Sequence, residues 1–169
     1  MDLDYCLKQL AGDMLRIHML VQGVDDRQAR WRPDADSWSI LEVICHLLDE
    51  EKRDFRVLLD ITLHKPGEAW PGIDPAGWVT EYKYNKQDLA ASLKAFKEER
   101  EASLAWLKRL EAPHWEAAYE TPWGAMRAGD LLASWVAHDL LHMRQLVELH
   151  WAYTEKEVLP YSTRYAGEW

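Results

Sequence analysis

The sequence predicts an all-α fold, a four-helix bundle with a long connection between its second and third helices. Four stretches repeat apolar residues at alternating steps of three and four, the period of one helical face. Pro and Gly gather mainly between those stretches. With 169 residues, 48% of them hydrophobic, the chain is expected to form one domain, 1–169, burying roughly 70% of its unfolded surface.

The first helix carries Leu3, Leu7, Leu10, Met14, Ile17 and Val21 on one face, and Gly23 follows as a helix-ending residue. The second opens at Ser39, where Glu42 completes a capping box and Trp38 with Val43 forms a hydrophobic staple. Ile40, Ile44, Leu47, Leu48, Phe55 and Leu58 then line a broad face for about six turns, until Pro66-Gly67. Residues 64–85 hold three Pro, three Gly and two Trp without sustained period, long for a connection inside a compact fold. If it spans the bundle, helix three can run parallel to helix two, which a short hairpin would forbid.

Helix three is expected from about Asn85 as N-cap through Leu89, Leu93, Phe96, Arg100, Ser103, Leu107 and Leu110, with Arg100 and Ser103 interrupting the apolar rhythm. A second connection, residues 111–129, has two Pro and two Gly. Helix four begins near Asp130 with the stripe Leu131, Trp135, His138, His142, Leu146 and Leu149. Residues 150–169 show no helical period and read as a tail packed over the bundle or a partner.

The formal charge of -9 disfavours phosphate backbones, so nucleic acid is not an expected partner. No apolar run approaches the ~20 residues needed to cross a bilayer, so no membrane association is expected. The acidic N-terminus lacks the features of a signal peptide, and Cys6 and Cys45 form neither a CxxC pair nor a zinc set, which predicts a cytoplasmic chain with reduced thiols.

The informative positions are those where a core stripe turns polar, because burying an imidazole without a partner is costly. His138 and His142, four apart, project from adjacent turns of one face and can reach one metal ion. A third ligand must come from another helix, and His46, within the apolar run VICHLL, is best placed by pattern although it lies beside the stripe's centre. Satisfied core histidines are the competing reading, and periodicity alone leaves the two open. The HExxH arrangement of zinc proteases is absent. His18, His64, His114 and His150 lie beside a stripe, in loops or at a helix end. Cys45 points about 100° away from His46 and reads as a buried thiol.

Trp38-Ser39-Ile40 leading to His46-Leu47, then Thr121-Pro122-Trp123-Gly124, then His138-Asp139-Leu140-Leu141-His142-Met143-Arg144-Gln145, resemble the DinB/YfiT-like superfamily of small bacterial metalloproteins. The resemblance covers nearly the whole chain in order and spacing. It implies an up-down-down-up bundle and a divalent metal, zinc or nickel, held by His46, His138 and His142. It also implies a homodimer, and activities that include thiol-dependent transfer with bacillithiol, mycothiol or glutathione as well as hydrolysis.

Three imidazoles leave a coordination position open, the mark of a catalytic zinc site. The expected function is a metal-dependent enzyme in which the ion holds a small thiol as thiolate for S-transfer to a small-molecule substrate; the alternative is hydrolysis by a bound water whose pKa the ion lowers. Glu50, one turn after His46, is a candidate base, and Gln145 a candidate partner for an imidazole N–H. Arg100 on an apolar stripe needs an anion, either a buried carboxylate or the carboxylate of a bound cofactor or substrate. A non-enzymatic stress-response or binding module with a structural metal is the third reading. Trp31, Trp38, Trp70, Trp78 and Trp123, near helix ends or in loops, would then wall a pocket or build a dimer face, with Trp106 and Trp135 as core fillers.

Overall fold

A computed structural model describes residues 1–167. Its helices are α1 (Leu3–Val21), α2 (Asp26–Arg30), α3 (Ile40–Arg53), α4 (Phe55–His64), α5 (Pro75–Glu81), α6 (Leu89–Leu107) and α7 (Ala128–Glu157). One hairpin joins β1 (Ala118–Thr121) to β2 (Gly124–Arg127). None of the helices is long and apolar enough to cross a membrane.

Each start has a local cause. Asp2 accepts from the Tyr5 N–H to cap α1, and the Ser39–Glu42 capping box opens α3 with both reciprocal bonds made. The second helix is not continuous, because Asp54 (φ -116°, ψ -101°) breaks it into α3 and α4. Helix α6 begins three residues later than expected: Asp88 caps it, whereas Asn85 lies in a 3-10 turn and gives its side-chain amide to the Arg30 carbonyl and the Ser39 hydroxyl. Helix α7 continues through residues 150–157, which were expected to be tail. Between the long helices, the connections expected to be irregular hold α2, α5 and the hairpin.

The core has two principal apolar clusters. One gathers Leu10, Leu59, Leu107, Leu132 and Trp135, and the other Ile17, Ile44, Phe96 and Leu146. The order in which each helix visits them gives the topology. Helices α1 and α7 pass from the first cluster to the second, while the α3–α4 rod and α6 pass from the second to the first. That is an up-down-down-up bundle. Helix α1 neighbours α6 and α7, and the rod also packs on both. A third cluster, including Cys45, Trp78 and Tyr84, seats the α4–α6 connection on the outside of α3.

Between the two principal clusters every rod turns polar: Asp13 on α1, Glu50 and Glu51 on α3, Arg100 and Ser103 on α6, and His138, Asp139 and His142 on α7. This belt holds the candidate site.

Candidate metal centre

His138 and His142 stand on successive turns of α7, and His46 reaches them from α3. The Nε2 atoms of His46 and His138 are 3.3 Å apart, and those of His142 and His138 3.1 Å. Together the three residues offer one nitrogen each within 4.8 Å of one another. Ligands about 2.0–2.1 Å from one tetrahedral ion lie about 3.3–3.4 Å apart, so these separations fit a single divalent cation. Two neutral imidazoles facing each other through Nε2 have at most one shared proton, which leaves lone pairs for an ion.

Burial sets the protonation state. Desolvation, then the neighbouring histidines, pulls His46 down to about 2, and desolvation followed by His142 and Arg100 pulls His138 to about 3. Burial lowers His142 as well. All three rings are therefore neutral at pH 7, as metal ligation requires.

The outer nitrogens have distinct surroundings. His142 Nδ1 is 2.8 Å from the Gln145 Oε1, so this ring carries its proton on Nδ1 and turns its Nε2 lone pair to the other histidines. His46 Nδ1 lies 3.6 Å from the Glu50 carboxyl, and both atoms are buried without a hydrogen-bond partner. Glu50 thus meets His46 through the nitrogen that does not face the triad. Burial, then the carboxyls of Asp54, Asp49 and Glu51, raises the Glu50 pKa, and burial raises that of Asp54.

Arg100 is 1% exposed and finds its anions inside the protein. Its guanidinium donates to Glu51 at 2.6 Å, to Asp139 at 2.9 Å and to the Leu10 carbonyl at 3.1 Å. Ser103 and the Trp135 indole also donate to Glu51. Of the two anions open to Arg100 from sequence, the structure supplies the buried carboxylates. The cluster sits against the triad through Asp139, the residue after His138.

Aromatic rings enclose the histidines. Trp38 is 4.9 Å from His46 between ring centroids and nearly parallel to His142 at 6.5 Å. Phe55, at the start of α4, meets His138 edge to face at 5.1 Å. Neither was singled out from sequence as a neighbour of the histidines. Trp38 reads as a staple and Phe55 as a stripe residue, and Phe55 directly follows the break at Asp54. A cavity of about 520 Å³ opens beside the triad, lined by Ser37, Trp38, His142, Gln145 and Glu148 among others.

The remaining candidates lie elsewhere. His64 pairs with Asp60 at the end of α4, and His150 bonds the Leu20 carbonyl from within α7. Cys45 is buried, and desolvation pushes its thiol up to about 11, as suits an inert core residue. Trp78 is buried in the third cluster, and Trp31 packs against Tyr153.

The sequence model of the DinB superfamily matches residues 11–146. Among solved structures, the chain is similar to YfiT from Bacillus subtilis, with a TM-score of 0.77 and 19% identity, over 87% of this chain and 85% of that one. That protein is described as "a probable metal-dependent hydrolase with an unusual four-helix bundle topology". No curated protein matches the sequence.

Proposed function

Because the chain belongs to the DinB superfamily, we propose that it is a metal-dependent hydrolase whose ion is held by His46, His138 and His142. The observation that carries this reading is the convergence of three neutral, buried imidazole nitrogens with spacings of 3.1 and 3.3 Å. A divalent ion there, zinc by preference for tetrahedral nitrogen ligands and nickel as the alternative, supplies Lewis acidity and lowers the pKa of a water ligand. The chain's own residues hold the geometry. Gln145 fixes the His142 tautomer, and Glu50 faces the His46 Nδ1–H, a position for orienting that ring rather than for taking a proton from substrate. Trp38 and Phe55 exclude water from two sides of the triad.

S-transfer from a small thiol is the second reading, since an open coordination position also suits a thiolate. The lining charge favours hydrolysis over a thiol that carries carboxylates. Asp36 and Glu148 face the cavity beside His142, no Lys or Arg does, and Arg100 is sequestered.

The test is metal analysis of the purified protein next to His138→Ala, followed by turnover of a 4-nitrophenyl ester with and without added thiol. About one divalent ion per chain, lost in the variant, together with thiol-independent turnover is the expected result. Turnover that requires a thiol transfers the proposal to S-transfer. Absence of metal after reconstitution with zinc and nickel would reduce the triad to packed core histidines.

A further inference from the structure

Phe55, which meets His138 edge to face at 5.1 Å, also walls a second cavity of about 580 Å³, within the size range of small-molecule sites. The cavity and the triad thus share a side chain. Phe55, Trp70, Tyr119 and Trp123 bring four aromatic rings to this wall from α4, the α4–α5 connection and the hairpin with its turn. The Trp70 and Tyr119 rings stack at 4.2 Å, 8° from parallel, and the Trp70 backbone N–H donates to the Tyr119 hydroxyl at 3.0 Å. The hairpin therefore holds the connection in place, and the wall is formed before any ligand arrives.

The charge in this wall has one sign. Asp54 is its one acidic residue, and no Lys, Arg or His lines it. Asp54 is half-buried, and its backbone N–H and carbonyl are taken by the Glu50 carbonyl and the Leu58 N–H. The side chain that meets its carboxyl is that of Glu50, another acid. Two carboxyls in contact share a proton and keep one negative charge between them. Among the described residues no Lys or Arg pairs with either one. Glu50 Oε1 is sealed from water without a partner, whereas neither Asp54 oxygen is, so the charge is open to solvent at the residue that lines the cavity.

We propose that this cavity binds a small organic cation, an arylalkyl amine whose ammonium group pairs with Asp54 while its apolar body lies among the rings. Aromatic side chains suit both parts of such a ligand, the flat apolar body by stacking and the cation by the charge distribution of their faces. A carboxylate that no cation answers repels an anionic ligand, and a neutral one of the same shape leaves it unpaired. In the hydrolase reading, on which this clause alone rests, the substrate is an ester or amide whose amine-bearing arm sits here. Binding of the cation itself requires no metal.

The experiment is an NMR titration of the full chain at pH 7, metal-free and zinc-loaded, following the Met126 methyl resonance, identified by its absence in Met126→Leu. The probes are benzylamine, a cation at this pH, its neutral counterpart benzyl alcohol, and benzoate. Benzylamine is expected to saturate one site in both forms and to shift the Met126 methyl. Benzyl alcohol should bind about fivefold more weakly, and benzoate more weakly still. Asp54→Asn should bring benzylamine down to the affinity of benzyl alcohol and leave benzyl alcohol unchanged. Ser134→Trp, which places an indole in the cavity from an exposed position of α7, should abolish binding of both. No saturable benzylamine site at Met126, or equal affinity of benzylamine and benzyl alcohol, overturns the proposal. So does an Asp54→Asn protein that keeps its preference for the amine; if that variant does not fold, unchanged binding in Ser134→Trp overturns it instead. Binding confined to the zinc-loaded form would mean that the amine ligates the metal, and overturns it too. Because the metal-free protein is titrated, failure here is separate from failure of the triad to hold an ion.

Discussion

At the scale of single residues, the polar side chains inside the bundle divide into those already satisfied and those left waiting. Arg100 is satisfied. Replacing it with Leu leaves Glu51 and Asp139 buried without their cation, and the expected loss is about 3–5 kcal/mol of stability, measurable by urea unfolding. Glu50 is waiting. Its folded pKa is raised, so the stability it contributes is present below its unfolded value and is lost as pH rises; at pH 7 it is a cost. Glu50→Gln should therefore raise the melting temperature of the metal-free protein, by about 2–4 °C for each kcal/mol relieved, while weakening zinc binding about tenfold by loosening His46. A variant that gains stability and keeps its full zinc affinity would show that Glu50 does not orient the ring. His138 and His142 were legible in the sequence because a stripe that should be Leu is not. What the sequence could not say is that Arg100's counter-ions are Glu51 and Asp139, since their pairing joins three helices and has no local period.

At the scale of elements, the starts of helices were readable where a side chain caps the backbone, and the interruptions were not. Ser39 and Glu42 mark the start of α3 in both sequence and structure. Ser39 is fully buried, and its hydroxyl takes both the Glu42 N–H and the Asn85 amide. Ser39→Ala should cost about 0.5–2 kcal/mol in thermal or urea unfolding, and a cost near zero would mean that the box is decorative. The break at Asp54 carries no Pro or Gly to announce it; tertiary packing overrides a continuous helical pattern there. The hairpin had a readable signal, alternating Ala118-Tyr119-Glu120-Thr121 followed by a Pro122-Trp123 turn into Gly124, which sits at φ 123° where a side chain would be strained. Helix α7 runs on because Trp151 to Glu157 continue without a breaker, although their apolar period has faded.

At the scale of the whole molecule, the belt couples stability to acid. A folded His pKa held below its unfolded value means that the unfolded chain takes up protons the native state refuses, so stability present above about pH 6.5 is lost as pH falls. For His46 this window runs from about 6.5 down to about 2. Glu50, raised rather than lowered, works in the opposite sense over part of the same range, so the clean comparison is between variants. His46→Gln should gain on the wild type by about 1.4 kcal/mol for each pH unit between 6 and 4, measured by urea unfolding without metal. A constant difference across that range would mean that His46 titrates normally in the fold. The long α4–α6 connection left room for α6 to run parallel to the α3–α4 rod, the full up-down-down-up order came only from the family resemblance, and the belt was foreshadowed wherever a stripe turned polar. The belt also governs how the molecule can come apart. Neither apolar cluster is a contiguous piece of chain, because α1, α6 and α7 each thread both. Melting one cluster alone would require snapping three helices at mid-length, so the two halves are bound into one cooperative unit by covalent rods rather than by direct contact between their apolar surfaces.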